Sequence, residues 1–531
     1  MTLPLCLVDK VKILSNWIEL FSIKKPGEVV TFEENFGISG LAMISVISGV
    51  FMAILDSSVV NVAIPKMMSV YATDQSTIEW VITVYILTEG MFTPVSGYLA
   101  DRFGDKRVYV YALILFVVGS CLCGAAWNAS ALIAFRIIQA LGGALLLPVS
   151  MTILFSLSKP EKRGMVMGLW GIAIMFAPAF GPTISGYIVQ NLNFRLIFYI
   201  NVPIGVINIF MAKAYIPEMK AKGEGKFDFP GFATCIIGFF CLLYALSDAP
   251  TSGWSSLKII SLFVAAAIFL SLFVVLELTT DKPMVELRLF KIPTFLASTI
   301  AVSVMTIAMM GAFFVIPLFL QNGLGYSPLQ TGLLTMPGAL VTAALMPVSG
   351  ALFDKFGARS VVIIGFAFML VGSLLLVNLN FCWTFTAIML VYALRQAGMG
   401  LTMMPLTTAG MNAVPPSLVN PASALQSTFR NVAGSMGTAL LGTVMQTHSN
   451  LSFATYMQHI NVQSLQKISA FGLHPSVYGI TNQADLLQLM SVLKQMAFQN
   501  GIREAFIIAV IVTVIAFIAA LFIGKKQKPF D

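Results

Sequence analysis

Between about residue 38 and residue 523 the chain alternates long apolar runs with short polar breaks. A helix rises 1.5 Å per residue, so roughly 20 apolar residues cover a hydrocarbon core of about 30 Å, and each such run predicts one membrane-crossing helix. Fourteen can be placed, near 38–64, 78–100, 107–127, 130–156, 165–189, 195–216, 229–248, 258–278, 292–321, 328–353, 360–379, 383–410, 425–447 and 503–523. The expected fold class is an all-α membrane protein with 14 transmembrane helices.

One polar break occurs twice. PVSGYLADRFGDKRV, Pro94 to Val108, returns as PVSGALFDKFGARSV, Pro347 to Val361, with nine of fifteen positions identical. Gln139, Ala140, Gly143 and Pro148 return in the same way as Gln396, Ala397, Gly400 and Pro405. Such internal repetition is the mark of a transporter made of two similar halves. Eight runs separate the two copies of the phrase, so two six-helix bundles need two extra central spans, near 229–278. The predicted organisation is a segment 1–37, a six-helix bundle 38–216, a linker 217–291 with the two added spans, a second bundle 292–523 and a basic tail 524–531. The second bundle includes a long polar loop, 448–502, which holds His448, His459 and His474.

Composition agrees with a lipid solvent: 58% of residues are hydrophobic and only 10% charged. The net charge of +8 is scattered through short loops, which disfavours a nucleic-acid partner. Of the 31 Lys and Arg, 22 fall on the side of the repeated phrase and of both chain ends, 6 on the other side and 3 within runs. The positive-inside rule then places both termini in the cytoplasm and 448–502 outside. In the segment 1–37, Val11, Leu14, Trp17, Ile18 and Phe21 are spaced to lay one helical face on the headgroups. Five of six cysteines sit in or beside apolar runs, and no disulfide or metal-ligand pattern emerges.

Ionisable groups inside lipid-crossing helices are functional candidates. Asp56 lies about 18 residues into the first run and Arg136 about six residues into the fourth, which brings both to a similar depth where they can meet or share a water. Glu89 lies about 16 Å down the second run, near the midplane, where its protonation would depend on what shares the cavity. Asp56 and Glu89 are therefore the candidates for carrying protons, the structural alternatives being a helix-end residue bonding local backbone for Asp56 and a buried structural hydrogen bond for Glu89. Arg395 and Arg430 read either as internal counter-charges or as anchors bonded to carbonyls. Glu277 and Asp248, at run ends, are expected among the headgroups.

In the repeated phrase, Asp101 and Asp354 are placed to face a helix N-terminus, Gly97, Gly104, Gly350 and Gly357 to allow close approach and a tight turn, and Arg102, Lys106, Arg107, Lys355 and Arg359 to hold the loop inside. In the fifth run, Gly181, Pro182 and Gly186 with Ala177 and Ser185 predict a bent, small-faced helix that seals the two halves against each other.

With those residues in hand, the chain resembles the major facilitator superfamily, and within it the fourteen-span drug:proton antiporters. LDSSVVNVAIP, Leu55 to Pro65, is similar to that family's first-span motif; GYLADRFGDKR, Gly97 to Arg107, is similar to the superfamily's loop motif. Arg136, Gln139 and Gly143 fit the motif whose arginine the family links to proton transfer, and GPTISG, Gly181 to Gly186, resembles the antiporter motif. Ala177 stands where the family often has glycine, and Ser185 replaces the first of a glycine pair. The resemblance implies the major facilitator fold, two bundles related by a pseudo-two-fold axis along the membrane normal.

The expected function is proton-coupled export of small amphiphilic or cationic drugs by alternating access, in the cytoplasmic membrane, with no enzyme activity and no cofactor. No GxxxxGK[ST] phosphate loop occurs in the chain. The alternatives are a dedicated exporter of one metabolite, antibiotic or lipid, and a receptor or assembly protein on the same fold. The expected partners are the substrate, protons and lipids, with a periplasmic adaptor in a Gram-negative host and a monomer otherwise.

Overall fold

The computed structural model describes residues 39–219, 228–280, 283–458 and 483–523. The predicted interfacial face at Val11 to Phe21, His459, His474 and the tail 524–531 lie outside the described residues. The first half comprises α1 (Gly40–Tyr71), α2 (Gln75–Phe92), α3 (Val95–Phe103), α4 (Asp105–Ala125), α5 (Ala129–Leu157), α6 (Arg163–Asn191), the short α7 (Leu196–Tyr199) and α8 (Asn201–Tyr215). Two helices follow, α9 (Phe229–Ser252) and α10 (Leu257–Thr279), and then the second half: α11 (Pro293–Leu318), α12 (Pro328–Phe356), α13 (Ala358–Val377), α14 (Phe385–Asn412), α15 (Val419–Gln458) and α16 (Gln483–Leu521).

Twelve helices among the described residues are long and apolar enough to cross a membrane. Two of the fourteen expected crossings fall outside that set. The run at 78–100 is divided between α2 and α3 at Thr93 and Pro94, and α2 carries Glu79 and Glu89. The run at 425–447 is the middle of α15, a 40-residue helix rich in Ser, Thr, Asn and Gln.

Within the segment 448–502, α15 runs on to Gln458 and α16 begins at Gln483. Leu493, Ala497 and Gly501, four residues apart, form one face, and Leu493 and Ala497 are buried. A Cβ at Gly501 would come to 3.0 Å from that of Ser449. Asn500 donates to Tyr456 Oη at 2.7 Å, so α15 and α16 stay paired through much of the segment.

Helix starts divide into two kinds. At one end of the bundle, α2, α5, α10, α12 and α14 are capped locally by Asp74, Asn128, Ser256, Ser327 and Thr384. At the other end α9 is capped locally by Asp228, whereas α6 has no local side-chain cap. Its cap comes from the opposite half, and this decides how the halves meet. They join along two seams, α6 against α12, and α15 against α2, α3 and α5.

Candidate functional site and family membership

The structure brings Asp56 and Arg136 together as a buried ion pair, 2.5 Å from Oδ2 to Nη1, with 0% and 1% exposure. α1 supplies the aspartate; α5 supplies Arg136 and, one turn on, Gln139. Gln139 Nε2 donates to Asp56 Oδ1 at 2.9 Å and to Ser120 Oγ of α4 at 2.8 Å, while its Oε1 accepts from Arg136 at 2.7 Å. Asn201, the first residue of α8, donates to Asp56 Oδ1 at 2.7 Å. Arg136 Nε reaches Val81 O at 3.2 Å, and its guanidinium carbon lies 4.1 Å from the ring centroid of Tyr85. Glycines let the helices close around this group: a Cβ at Gly119 would meet Gln139 Cα at 2.5 Å, and one at Gly143 the Tyr85 hydroxyl at 2.5 Å.

Chemically this is a charged pair with nearly all its hydrogen-bonding capacity used inside the protein, the condition for burying charge at tolerable cost. The carboxylate accepts three donors, so adding a proton to it would replace an acceptor with a donor and weaken its hold on Arg136, which keeps its bonds to Gln139 Oε1 and Val81 O. Ser120, Asn201 and Tyr85 were not foreseen; an Asn within an apolar run was the available signal for Asn201.

Glu89 does not join this group. It lies one turn past Tyr85 on α2, half-buried, at the seam with α15. Arg430 of α15 is half-buried there too, its guanidinium carbon 5.9 Å from the centroid of the buried Trp170 ring. Arg395, by contrast, is fully buried inside the second half, donating to Ser373 Oγ at 3.1 Å and Ala308 O at 3.0 Å. Its bonding is that of an anchor.

The repeated phrase works as a pair of clasps. Asp354 Oδ1 and Oδ2 accept the N–H groups of Gly164 and Met165 in the first turn of α6, each at 2.9 Å. Asp101 Oδ1 accepts from Asn420 Nδ2 at 2.7 Å, at the start of α15. A Cβ at Gly164 would come to 2.5 Å from Gly350 O, and one at Gly97 to 3.0 Å from Asn420 O, so backbones touch at both places. Gly104 and Gly357 turn the chain at φ 87° and 81°, in the left-handed region that favours glycine. Arg102 folds back onto Tyr98 and Phe103, while Arg107 and Lys106 each lie 3.8 Å from Glu218 at the surface. Arg163 adds a 3.2 Å bond to Asn412 across the boundary.

Two expectations are corrected. Glycine 181 does not seal the halves: a side chain there would meet Ser58 of α1, within the same half, and Ser185 donates to Val59 O at 2.6 Å. At Gly186 a Cβ would meet nothing within 4 Å, and α6 contacts the other half lower down, at Gly164 and Gly168. Pro182 lies in the same stretch of α6. Glu277 is not among headgroups but 1% exposed, because Val285 folds back and donates to Glu277 Oε2 at 3.1 Å. Asp248 is paired with Lys258 at 2.8 Å.

Residues 46–438 match the Major Facilitator Superfamily. The chain belongs to that superfamily. It is 35% identical over 494 residues to the uncharacterized MFS-type transporter YhcA of Bacillus subtilis, covering 92% of this chain and 93% of that one. It is 30% identical over 477 residues to the lincomycin resistance protein LmrB of Listeria monocytogenes, covering 90% and 95%. The fold resembles the human organic anion transporter MFSD10, with a TM-score of 0.59 at 12% identity over 90% of this chain and 99% of that one. This major facilitator is therefore a membrane-embedded, multi-pass transporter and not an enzyme.

Proposed function

We infer that this transporter exports small amphiphilic or cationic drugs in exchange for protons, across the cytoplasmic membrane and with both termini inside. In this reading the twelve apolar helices are joined by α2 with α3, and by α15, to make fourteen crossings. Two six-helix bundles, 38–216 and 292–523, rock about a pseudo-two-fold axis, with α9 and α10 in the linker 217–291 as the added pair.

The observation that carries the reading is the enclosed Asp56–Arg136 pair and its position beside α6. The outer half of α6 presses on α1 at Ser58 and Val59, two and three residues from Asp56. Its first turn is held by Asp354 of the opposite half. One helix thus packs on the turn of α1 that follows the acid and carries the clasped end, so protonation at Asp56 has a rigid element through which to bias the clasp. If the repeated phrase is cytoplasmic, as the charge distribution argues, the clasped form is closed to the cytoplasm. A proton arriving from outside at Asp56 weakens its hold on Arg136, whose guanidinium lies against Tyr85, one turn from Glu89. Glu89 at the seam then serves as the substrate's cation partner. Each charge moved through the potential contributes about 2.3 kcal/mol per 100 mV.

The resistance named for LmrB supports drug export and equally a dedicated single-compound exporter. Uptake of a cationic dye into inverted vesicles, driven by an imposed pH gradient, tests the reading. Gradient-dependent accumulation that is lost in Asp56→Asn is expected; no gradient-dependent accumulation of any compound in a toxic panel overturns it.

A further inference from the structure

We propose that Arg430 is an anion-recognition point facing Glu89 across the seam, so that the preferred substrate is an amphiphile carrying both a basic and an acidic group. The proposal rests on the export reading and narrows its substrate class.

The two residues are held at one level by a short chain of bonds. Asn431, next to Arg430, donates to Thr93 Oγ1 at 3.2 Å, and Thr93 Oγ1 donates to the carbonyl of Glu89 at 2.6 Å. Arg430 is steadied from behind by Trp170, whose indole N–H is fixed to Ser150 Oγ at 3.0 Å. Yet Arg430 is not satisfied. Its Nη2 is buried and has no hydrogen-bond partner among the described residues.

The carboxylates nearby do not fill that need. Asp56 is committed to Arg136, Gln139 and Asn201. Glu89 and Arg430 act on each other electrostatically but form no ion pair within 4.0 Å among the described residues. A half-buried guanidinium with an empty donor seeks an anionic acceptor, and a planar carboxylate is the group its fork fits.

The halves therefore bring opposite charges to one level of their boundary, Glu89 from α2 and Arg430 from α15. A substrate bearing a cation alone would meet Glu89 and leave Arg430 unpaired. One with a carboxylate as well would satisfy both, and by touching both halves it would bind best when they are closed upon it. Arg395 also has a free Nη1, but at 0% exposure inside the second half it has no route to a ligand at the seam.

The test is equilibrium binding to the purified full-length protein in lipid nanodiscs, with norfloxacin, a zwitterion near neutral pH, against its ethyl ester, which keeps only the amine. The wild type should bind the zwitterion about tenfold tighter, the effect of one good charge-assisted contact. Arg430→Gln should bring that ratio close to one while changing ester affinity less than about twofold, and Arg430→Lys should restore part of it. Equal wild-type affinities, no binding of either compound, or an Arg430→Gln loss shared equally by both compounds overturns the proposal. Gradient-driven uptake of the ester into inverted vesicles judges the export reading separately, because the binding ratio is read without transport.

Discussion

The carboxylate of Asp354 accepts the amide N–H of Gly164 at 2.9 Å, across the boundary between the two halves. Because α6 lacks a local cap, this acceptor does for α6 what Asp74 and Asn128 do for α2 and α5 within their own half. A helix cap contributes about 1 kcal/mol, and charge at the N-terminus adds up to about 1 more. That energy exists only while the halves are clasped.

Asp354→Ala should therefore shift the equilibrium toward the unclasped form by roughly tenfold or more, given that about 1.4 kcal/mol is a factor of ten. Spin labels at positions 103 and 356, both exposed at the loop ends, report it after the exposed Cys382 is replaced. A broadened, longer distance distribution is expected in the variant.

Gly164→Val tests the same contact by sterics. Its side chain would enter the space of Gly350 O and of Asp354 Oδ1, the oxygen that caps Gly164, and overpacking of this kind costs about 1–3 kcal/mol. In the double variant with Asp354→Ala the label distances should change little beyond either single change, since both remove one clasp.

Within the first half, Arg136→Ala leaves the Asp56 carboxylate buried without its cation. A loss of about 3–5 kcal/mol is expected, seen as a large drop in the thermal unfolding midpoint in detergent. Asp56→Asn leaves Arg136 buried without its anion but fills the same space, and its single amide oxygen can still accept from Gln139 and Asn201, so it should also lower the midpoint, by less than Arg136→Ala. If neither variant lowers the midpoint, the pair does not hold the site together.

How far the chain could be read in advance follows from what each signal depends on. Asp56 and Arg136 were legible as neighbours because depth in a crossing helix is a matter of counting residues. The clasp was legible because Gly97, Asp101 and Gly104 recur as Gly350, Asp354 and Gly357. Asn201 and Ser120 were not, since a single polar residue in an apolar run says nothing of which helix it faces. The position of Gly181 against α1 depends on which side of α6 turns toward which neighbour. Glu277 stands at a helix end, and the return of Met284 and Val285 over it, with Gly231 of α9 against its carboxylate, excludes water.

That enclosure gives another prediction. Glu277 Oε1 is buried without a partner, and the carboxylates of Asp228 and Glu286 act on it. Glu277→Gln removes a buried charge among like charges while leaving an acceptor for the Val285 amide, so the unfolding midpoint at neutral pH should stay level or rise. Glu277→Ala, which strips the amide of its acceptor, should lower it by about 1–3 kcal/mol in stability. A Gln variant less stable than the Ala variant would contradict this.

The most direct test of proton coupling at Asp56 compares uphill transport with exchange in proteoliposomes of the Asp56→Asn protein. The account predicts normal equilibrium exchange of substrate between the two faces and no accumulation under an imposed pH gradient. Accumulation at the wild-type level with Asn at position 56 would contradict it.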